Sequence, residues 1–270
     1  MIDLLIYLAD RSPAFRRFVW KHWYQYLAGY DVRDWHFMNY GFLDSSPDTF
    51  VPQLEESDEP NRYCIQLYDR VARAVDLQGK RIVEVGSGRG GGSSYVHRYH
   101  RPTATTGIDF SARAVRFCRG AHRHAGLDFI RGDAERLPLD DASCDAVLNV
   151  ESSHCYGSMP RFVAQAFRVL RPGGHLLFAD FRIPSVAAEL PATFERAGFG
   201  IVERQSITEQ VLAALRADSE RKLRLLERHV PPRRLATLRR FAAIEGSDVF
   251  RHFENGTFVY ERFSLEKPAS

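Results

Sequence analysis

The feature that most constrains the fold is a short apolar strand that runs into a glycine-rich turn and then a helix. The segment Ile82-Val83-Glu84-Val85-Gly86-Ser87-Gly88-Arg89-Gly90 is followed directly by Gly91-Gly92-Ser93-Ser94. Glycines let the backbone adopt a positive φ and let a ligand approach without a Cβ in the way. The segment therefore predicts a strand–turn–helix unit at which a ligand binds, although ordinary turns also contain such glycines.

Beyond this unit, short apolar strands alternate with helical stretches. The predicted strands are Arg81–Val85, Ala104–Ile108, Leu127–Arg131, Cys144–Asn149, His175–Phe181, Gly200–Gln205 and one near Thr257–Leu265. The predicted helices are one starting near Asp58, then Gly91–Tyr99, Ala112–His124, Met159–Leu170, Val186–Ala197, Thr208–His229 and Arg233–Ile244. This alternation is typical of a parallel sheet covered by helices on both faces. We predict an α/β, Rossmann-like fold with a seven-stranded, mostly parallel sheet.

Two acidic residues stand just past the ends of predicted strands. Asp109 ends the second strand and follows Gly90 by 19 residues. From that position an acid can accept hydrogen bonds from both hydroxyls of a ribose. Asp133 follows the third strand, where a plain helix N-cap is the alternative. Together with the glycine turn, Asp109 predicts a site for a nucleoside-containing ligand.

The motifs in this order resemble the class I S-adenosylmethionine-dependent methyltransferases. The segments that carry the resemblance are Glu84–Gly90, Gly107–Asp109, Gly132–Ala134 and Arg168–Gly174. Dehydrogenases that bind a dinucleotide are the alternative, but their turn is GxGxxG. Here the turn is GxGxG preceded by an acid, which suits a ligand without a pyrophosphate.

Three segments narrow the resemblance to one family. Glu56–Arg62, Leu127–Glu135 and Leu148–Tyr156 are similar to the mycobacterial phthiotriolone/phenolphthiotriolone dimycocerosate methyltransferases. Those enzymes O-methylate a hydroxyl on a long lipid of polyketide origin. The similarity is weakest in the first fifteen residues and between Ser185 and Arg251, where this architecture often builds its acceptor lid. The resemblance therefore leaves the acceptor open.

The resemblance implies S-adenosylmethionine as cofactor and S-adenosylhomocysteine as product. It implies that the turn glycines pass under the methionine part and the ribose, that Asp109 holds the ribose, and that Phe110 lies against the adenine. Asp133 and the backbone N–H of Ala134 are implied to contact the adenine, and the backbone at Asn149 to face the methionine amine. The cofactor-binding residues expected on this basis are Tyr40, Glu84, Gly86, Ser87, Gly88, Gly90, Asp109, Phe110, Asp133, Ala134 and Asn149.

Three further residues are candidates for the chemistry. Methyl transfer is an in-line displacement, for which an enzyme positions the reactants, excludes water and often supplies a base. His154 lies about five residues past the fourth strand, at the sheet edge where ligands bind, and is our predicted general base; a packed or loop-capping histidine is the alternative. Glu151 is predicted to orient His154 or bind the cofactor amine, with a structural ion pair as the alternative. Asp180 is predicted to assist the base or to join both around a divalent cation, but no spacing demands a metal and we expect none.

Aromatic residues, 12% of the chain, are dense before residue 60. Four residues share one face of a predicted helix: Trp20, Trp23, Tyr24 and Leu27. This face can pack internally, line an apolar acceptor pocket or touch a membrane surface. By the resemblance, Tyr40 belongs to a lid over the cofactor carboxylate. We predict an N-terminal helical lid or extension over 1–57 and a methyltransferase domain over 58–270, with a helical lid insertion at about 207–246.

Charge and cysteine usage restrict the partners. The 37 basic residues are nearly balanced by 34 acidic ones, and the arginine-rich helix 216–228 interleaves both signs. That helix is predicted as a solvated face with ion pairs rather than a nucleic-acid surface. The four cysteines lack CxxC spacing, and neither a signal peptide nor an 18-residue apolar run is present. We expect a cytoplasmic enzyme without nucleic-acid partner or integral membrane association, and leave a homodimer open.

The favoured function is O-methylation of a hydroxyl on a hydrophobic polyketide, lipid or other specialised metabolite. C-methylation or N-methylation of a natural-product intermediate stays open. A nucleic-acid methyltransferase is disfavoured by the mixed charges, and a non-catalytic scaffold by the intact set of turn glycines, Asp109 and Asp133.

Overall fold

The computed structural model describes residues 35–269, which form one seven-stranded sheet. The strands are β1 (Arg81–Val85), β2 (Ala104–Asp109), β3 (Leu127–Arg131), β4 (Cys144–Val150), β5 (Leu170–Arg182), β6 (Gly200–Ser206) and β7 (Val259–Glu266). Their order is β3-β2-β1-β4-β5-β7-β6. Strands β1 to β5 pair in parallel, and β7 runs antiparallel to both β5 and β6. The predicted Rossmann-like, mostly parallel sheet is confirmed.

Helices cover both faces of this sheet. They are α1 (Arg62–Ala72), α2 (Gly91–His100), α3 (Ala112–Ala121), α4 (Met159–Val169), α5 (Pro184–Ala187), α6 (Leu190–Arg196), α7 (Thr208–His229), α8 (Pro232–Phe241) and α9 (Asp248–Glu254). Helices α1, α2, α7 and α9 contribute to the core on one face. Helices α4 and α6 contribute to the core on the other. Both faces of the central strands are therefore buried, which is why their sequences are continuous apolar runs.

Some predicted elements differ from the structure. The single helix predicted over Val186–Ala197 is wrong, since the chain forms the two short helices α5 and α6 there. Pro191 stands in the first turn of α6, where its missing N–H costs no intrahelical hydrogen bond. Helix α9 was not predicted, although Ser247 caps it by accepting a hydrogen bond from the Phe250 N–H at 3.3 Å.

The predicted N-terminal extension lies only partly within the described residues. The described part of it, residues 35–57, contains neither helix nor strand. The stripe that begins at Trp20 lies outside the described residues. Residues 35–43, called the strap below, run across the helices of one face. The strap joins α2 where the Gly91 N–H donates to the His36 carbonyl (3.1 Å), and α7 where the Leu43 N–H donates to the Gln210 carbonyl (3.0 Å).

Candidate functional site

The glycine turn after β1 has a backbone that only glycine adopts easily. Gly86, Gly88 and Gly90 have φ angles of +82°, +53° and +79°. A Cβ on Gly86 would lie 2.4 Å from the Ser152 side chain, whereas one on Gly88 would have, among the described residues, only the Met38 Cε within 4.0 Å. The turn is thus packed against the protein at Gly86 and open at Gly88, which leaves room for a ligand beside Gly88.

Asp109 is oriented by the turn that it faces. One of its carboxylate oxygens accepts from the Gly88 N–H at 2.9 Å, and the other from the Ser111 N–H at 2.8 Å. Burial raises the pKa of Asp109 to about 6, while these two hydrogen bonds lower it. Each carboxylate oxygen has a further lone pair, so this geometry can accept from two vicinal hydroxyls.

Two buried polar atoms near the turn have no hydrogen-bond partner among the described residues. They are the Ser87 Oγ and the Asn149 Oδ1. The amide nitrogen of Asn149, by contrast, donates to the Val85 carbonyl at 2.9 Å and to the Ser152 Oγ at 2.8 Å. Buried polar groups in proteins are nearly always hydrogen-bonded. The glycine turn, Asp109 and these two atoms together fit a ligand such as S-adenosylmethionine.

The ends of β2 and β3 bring together the residues expected near an adenine. The Gly132 N–H donates to the Asp109 carbonyl at 3.0 Å, which joins the two strand ends. Phe110 and Asp133 are partly exposed there. The Asp133 carboxylate accepts from the Glu135 N–H at 3.0 Å. Asp133 therefore shapes its own turn, and a contact with adenine would be additional.

Glu84 faces the helices rather than the open side of the turn. Its carboxylate accepts from the Tyr68 hydroxyl at 2.6 Å and from the Ser93 hydroxyl. Burial raises the pKa of Glu84 to about 7, and the hydrogen bonds from both hydroxyls lower it. Glu84 thus ties β1 to α1 and α2, which places it behind the turn as a support.

His154 and Asp180 form a hydrogen-bonded pair past the ends of β4 and β5. The His154 Nδ1 lies 2.8 Å from Asp180 Oδ1, and Asp180 Oδ2 accepts from the Ser153 hydroxyl at 2.6 Å. Burial opposes ionisation of Asp180, but Arg182, whose guanidinium lies 3.1 Å away, and His154 hold its pKa well below the usual range. Burial would lower the pKa of His154, but Cys155 and Asp180 raise it to about 10.

Glu151 has an uncommon backbone conformation beside this pair. Its φ is +45°, which lies in a region where non-glycine residues are strained. Residues strained in this way cluster at functional sites. Its Oε1 accepts from the Tyr40 N–H at 2.8 Å and from the Tyr260 hydroxyl at 3.0 Å. Burial raises the pKa of Glu151 to about 7, the Tyr40 N–H lowers it, and Asp180 raises it further. The imidazole of His154 is hydrogen-bonded by Asp180, so Glu151 acts on it through charge.

An aromatic cluster adjoins these charged groups. The Phe181 ring centroid lies 4.5 Å from that of His154 and 5.4 Å from that of Tyr40. The Tyr40 ring also contacts Phe253 at 5.7 Å, and its hydroxyl donates to the Phe241 carbonyl at 3.4 Å. Tyr40 therefore turns its backbone toward Glu151 and its ring toward the aromatic cluster.

Sequence reasoning missed Phe181, Phe253 and Tyr260. One signal was available, since Phe181 stands between Asp180 and Arg182 at a strand end. The place of Tyr260 depends on the antiparallel register that pairs it with Phe181. No sequence motif predicts this register.

Metal binding and membrane spanning are the remaining features predicted to be absent. Within residues 35–269, no group of three or more His, Cys, Asp and Glu side chains is arranged to hold a metal ion. Over the same residues, no helix combines the length and the apolar character needed to cross a membrane.

Strand order, the glycine turn and Asp109 are those expected of a class I S-adenosylmethionine-dependent methyltransferase. Residues 83–178 match the family described as a methyltransferase domain. The phthiotriol/phenolphthiotriol dimycocerosates methyltransferase of Mycobacterium leprae is 39% identical over 262 residues, which are 96% of this chain and 95% of that protein. The chain belongs to this family of methyltransferases, which confirms the family predicted from the motifs.

Two other similar proteins show how far the fold is shared. The fatty-acid O-methyltransferase of Mycolicibacterium smegmatis is 36% identical over 86% of this chain and 84% of that protein. The crystal structure of the [4+2]-cyclase SpnF has a TM-score of 0.64 at 21% identity, covering 86% of this chain and 88% of that one. Since a cyclase shares the fold, the fold alone does not decide the reaction.

Proposed function

We propose that the protein transfers a methyl group from S-adenosylmethionine to an oxygen of a hydrophobic lipid, polyketide or other specialised metabolite, with His154 as general base. The observation that carries this proposal is the 2.8 Å contact between His154 Nδ1 and Asp180 Oδ1 beside the aromatic cluster. Two relatives support the acceptor class, because one is named for dimycocerosates and the other for fatty acids.

When bound, S-adenosylmethionine supplies a methyl group already activated on a sulfonium. The turn glycines would leave space for its methionine part and ribose, and Asp109 would accept from the ribose hydroxyls. Ser87 Oγ and Asn149 Oδ1 are the buried polar atoms that it would satisfy. Phe110, Asp133 and Ala134 would flank the adenine.

Around the acceptor, different residues would transfer the proton, exclude water and supply charge. Asp180 holds the imidazole through Nδ1 and stabilises the imidazolium that would form on transfer of the proton of an acceptor hydroxyl to His154. Aromatic rings of Tyr40, Phe181 and Phe253 exclude water and favour an apolar acceptor. Glu151 adds a negative charge that favours the imidazolium.

The protonation of His154 makes the proposal testable by pH. Because the pKa of His154 is raised to about 10, the imidazole is mostly protonated at neutral pH. For a hydroxyl acceptor, turnover should rise about tenfold per pH unit below that pKa as the neutral base forms. A carboxylic acid is already ionised at neutral pH and needs no base, so its methylation should show no such rise.

The experiment compares hexadecane-1,2-diol with hexadecanoic acid, each incubated with S-adenosylmethionine and followed by mass spectrometry for the gain of one methyl. The His154→Ala variant should lower kcat on the diol by about 10²-fold or more and leave S-adenosylhomocysteine binding unchanged. His175→Ala, near the opposite end of β5, is the matched control. Unchanged turnover of His154→Ala on every accepted substrate would remove the base assignment, and a methyl on carbon in the product NMR spectrum would replace O-methylation by C-methylation.

The proposal also covers the lid over the acceptor site and the cellular location of the enzyme. We infer that the described part of the N-terminal extension (35–57) and the insertion at about 207–246 cover the acceptor site of the domain over 58–270. The contacts of Tyr40 with Glu151 and with the Phe241 carbonyl support this arrangement. The four free cysteines support a reducing, cytoplasmic location.

A further inference from the structure

A buried group of charges lies on the insertion helix α7. The sequence predicted this helix as a solvated face, and that prediction is wrong for Asp218 and Lys222, which are only 3% and 9% exposed. Arg221 donates to both carboxylate oxygens of Asp218, at 2.5 and 2.6 Å. The Lys222 Nζ stands 3.7 Å from Asp218, too far for a hydrogen bond. Arg221 therefore makes the hydrogen bonds to Asp218, whereas Lys222 pairs with Asp218 through charge alone and donates its hydrogen bond elsewhere.

The hydrogen bond that Lys222 does make leads to the strap. Its Nζ donates to the Tyr40 carbonyl at 3.2 Å. The N–H of the same Tyr40 donates to Glu151 Oε1 at 2.8 Å. Both polar groups of the Tyr40 backbone are thus engaged, one by the insertion helix and the other by the candidate active site.

Glu151 depends on this arrangement more than an exposed carboxylate would. Its backbone is in the left-handed region, and its Oε1 has Tyr40 and Tyr260 as donors. A partly buried carboxylate that loses a donor retains the desolvation cost without the compensating hydrogen bond. Displacement of the strap by a fraction of an ångström would therefore change both the ionisation and the direction of the Glu151 carboxylate.

We propose that Lys222 is a positioning residue for Glu151, which acts by holding the Tyr40 backbone so that its N–H meets the Glu151 carboxylate. This inference rests on the proposed function, in which Glu151 belongs to the active site. It connects the divergent insertion helix to the catalytic edge of the sheet through a single peptide unit. A change in the insertion can therefore alter turnover without touching the acceptor.

The first test needs no acceptor. In Lys222→Met, NMR should show faster amide hydrogen exchange at Tyr40 and an upward shift of about one unit in the pKa of Glu151. The shift is read from the side-chain ¹³Cδ signal of Glu151, which is assigned by its loss in Glu151→Gln. Asp180, His154 and Tyr260 face Glu151 and are unchanged in this variant. Lys222→Arg should restore slow exchange, and Arg224→Met, exposed on the same helix, is the control.

The second test is a double-mutant cycle on turnover, with hexadecane-1,2-diol as the probe. Lys222→Met should lower kcat about tenfold with KM unchanged, and should have no further effect in a Glu151→Gln background. Independent, multiplying effects would show a merely structural lysine and overturn the inference while the proposed function stands. If Glu151→Gln alone leaves turnover unchanged, both the inference and the place of Glu151 in the active site are wrong. If Lys222→Met does not fold, Lys222→Gln is used in the same cycle, and unchanged exchange at Tyr40 would equally overturn the inference.

Discussion

Within the proposed site, the part assigned to the cofactor (the cofactor half) and the part assigned to the acceptor (the acceptor half) are built in opposite ways. In the cofactor half, Asp109 is oriented by backbone N–H groups of Gly88 and Ser111, 21 and 2 residues away in sequence. In the acceptor half, Glu151 is held by Tyr40 and Tyr260, 111 and 109 residues away. These backbone contacts lie within the single unit that runs from β1 through α2 to β2 and the turn after it. Distant side-chain contacts depend on the whole tertiary structure.

The two halves also differ in the groups that compensate the burial of their carboxyls. Burial raises the pKa of Glu84 to about 7 and that of Asp109 to about 6, with hydrogen bonds as the opposing influence. In the acceptor half, burial of Asp180 is outweighed by the cations of Arg182 and His154. Hydrogen bonds thus compensate the burial of Glu84 and Asp109, whereas cations compensate the burial of Asp180.

The largest expected effect tests the cofactor half. Gly86→Ala places a Cβ 2.4 Å from Ser152 on a backbone with φ of +82°. We expect the affinity for S-adenosylhomocysteine, measured by calorimetry, to fall about 10³-fold, which corresponds to about 4 kcal/mol. Gly79→Ala is the matched control, because Gly79 has φ of +71° but no atom of residues 35–269 within 4 Å of an added Cβ. Equal losses in the two variants would show that the contact with Ser152 is not what the turn requires.

A smaller effect, confined to turnover, tests the acceptor half. Asp180→Asn removes the charge that stabilises the imidazolium of His154 and the proper acceptor for its Nδ1–H. We expect kcat to fall about 10²-fold, with S-adenosylhomocysteine affinity unchanged in calorimetry. A parallel loss of cofactor affinity would contradict the separation of the two halves.

The smallest effect concerns the pH dependence of cofactor binding. The pKa of Asp109 is raised to about 6, so its carboxylate is ionised above that pH and accepts hydrogen bonds from a ribose. Below it the carboxyl becomes protonated, and S-adenosylhomocysteine affinity should fall about tenfold between pH 7 and pH 5. Calorimetry of Asp109→Asn should show weaker binding without this pH dependence. A wild-type affinity that stays constant between pH 7 and pH 5 would show that the Asp109 carboxylate does not bind the ribose.

The parts of the site that the sequence predicts are those whose residues lie close together along the chain or at the ends of neighbouring parallel strands. The turn from Gly86 to Gly90 and the position of Asp109 were visible because their spacing along the chain is set by one strand–turn–helix unit. His154 and Asp180 were expected at one sheet edge because parallel strands end there, and the structure brings them into contact at 2.8 Å. Tyr40 was expected near the cofactor, yet its ring packs on Phe181. No local pattern tells which of several aromatic residues will meet across a core.

The sequence by itself determined the alternation of strands and helices, the cofactor motifs and the family, because each of these is written in neighbouring residues. Only the tertiary structure decided that Tyr260 reaches Glu151, since that contact requires the antiparallel register of β7 on β5. It also decided that Lys222, which the alternating charges of its helix place at the surface, is buried against the Tyr40 carbonyl. The physical reason is that burial and long-range hydrogen bonds depend on what the rest of the chain brings to a residue, and a charge pattern on one helix does not contain that information.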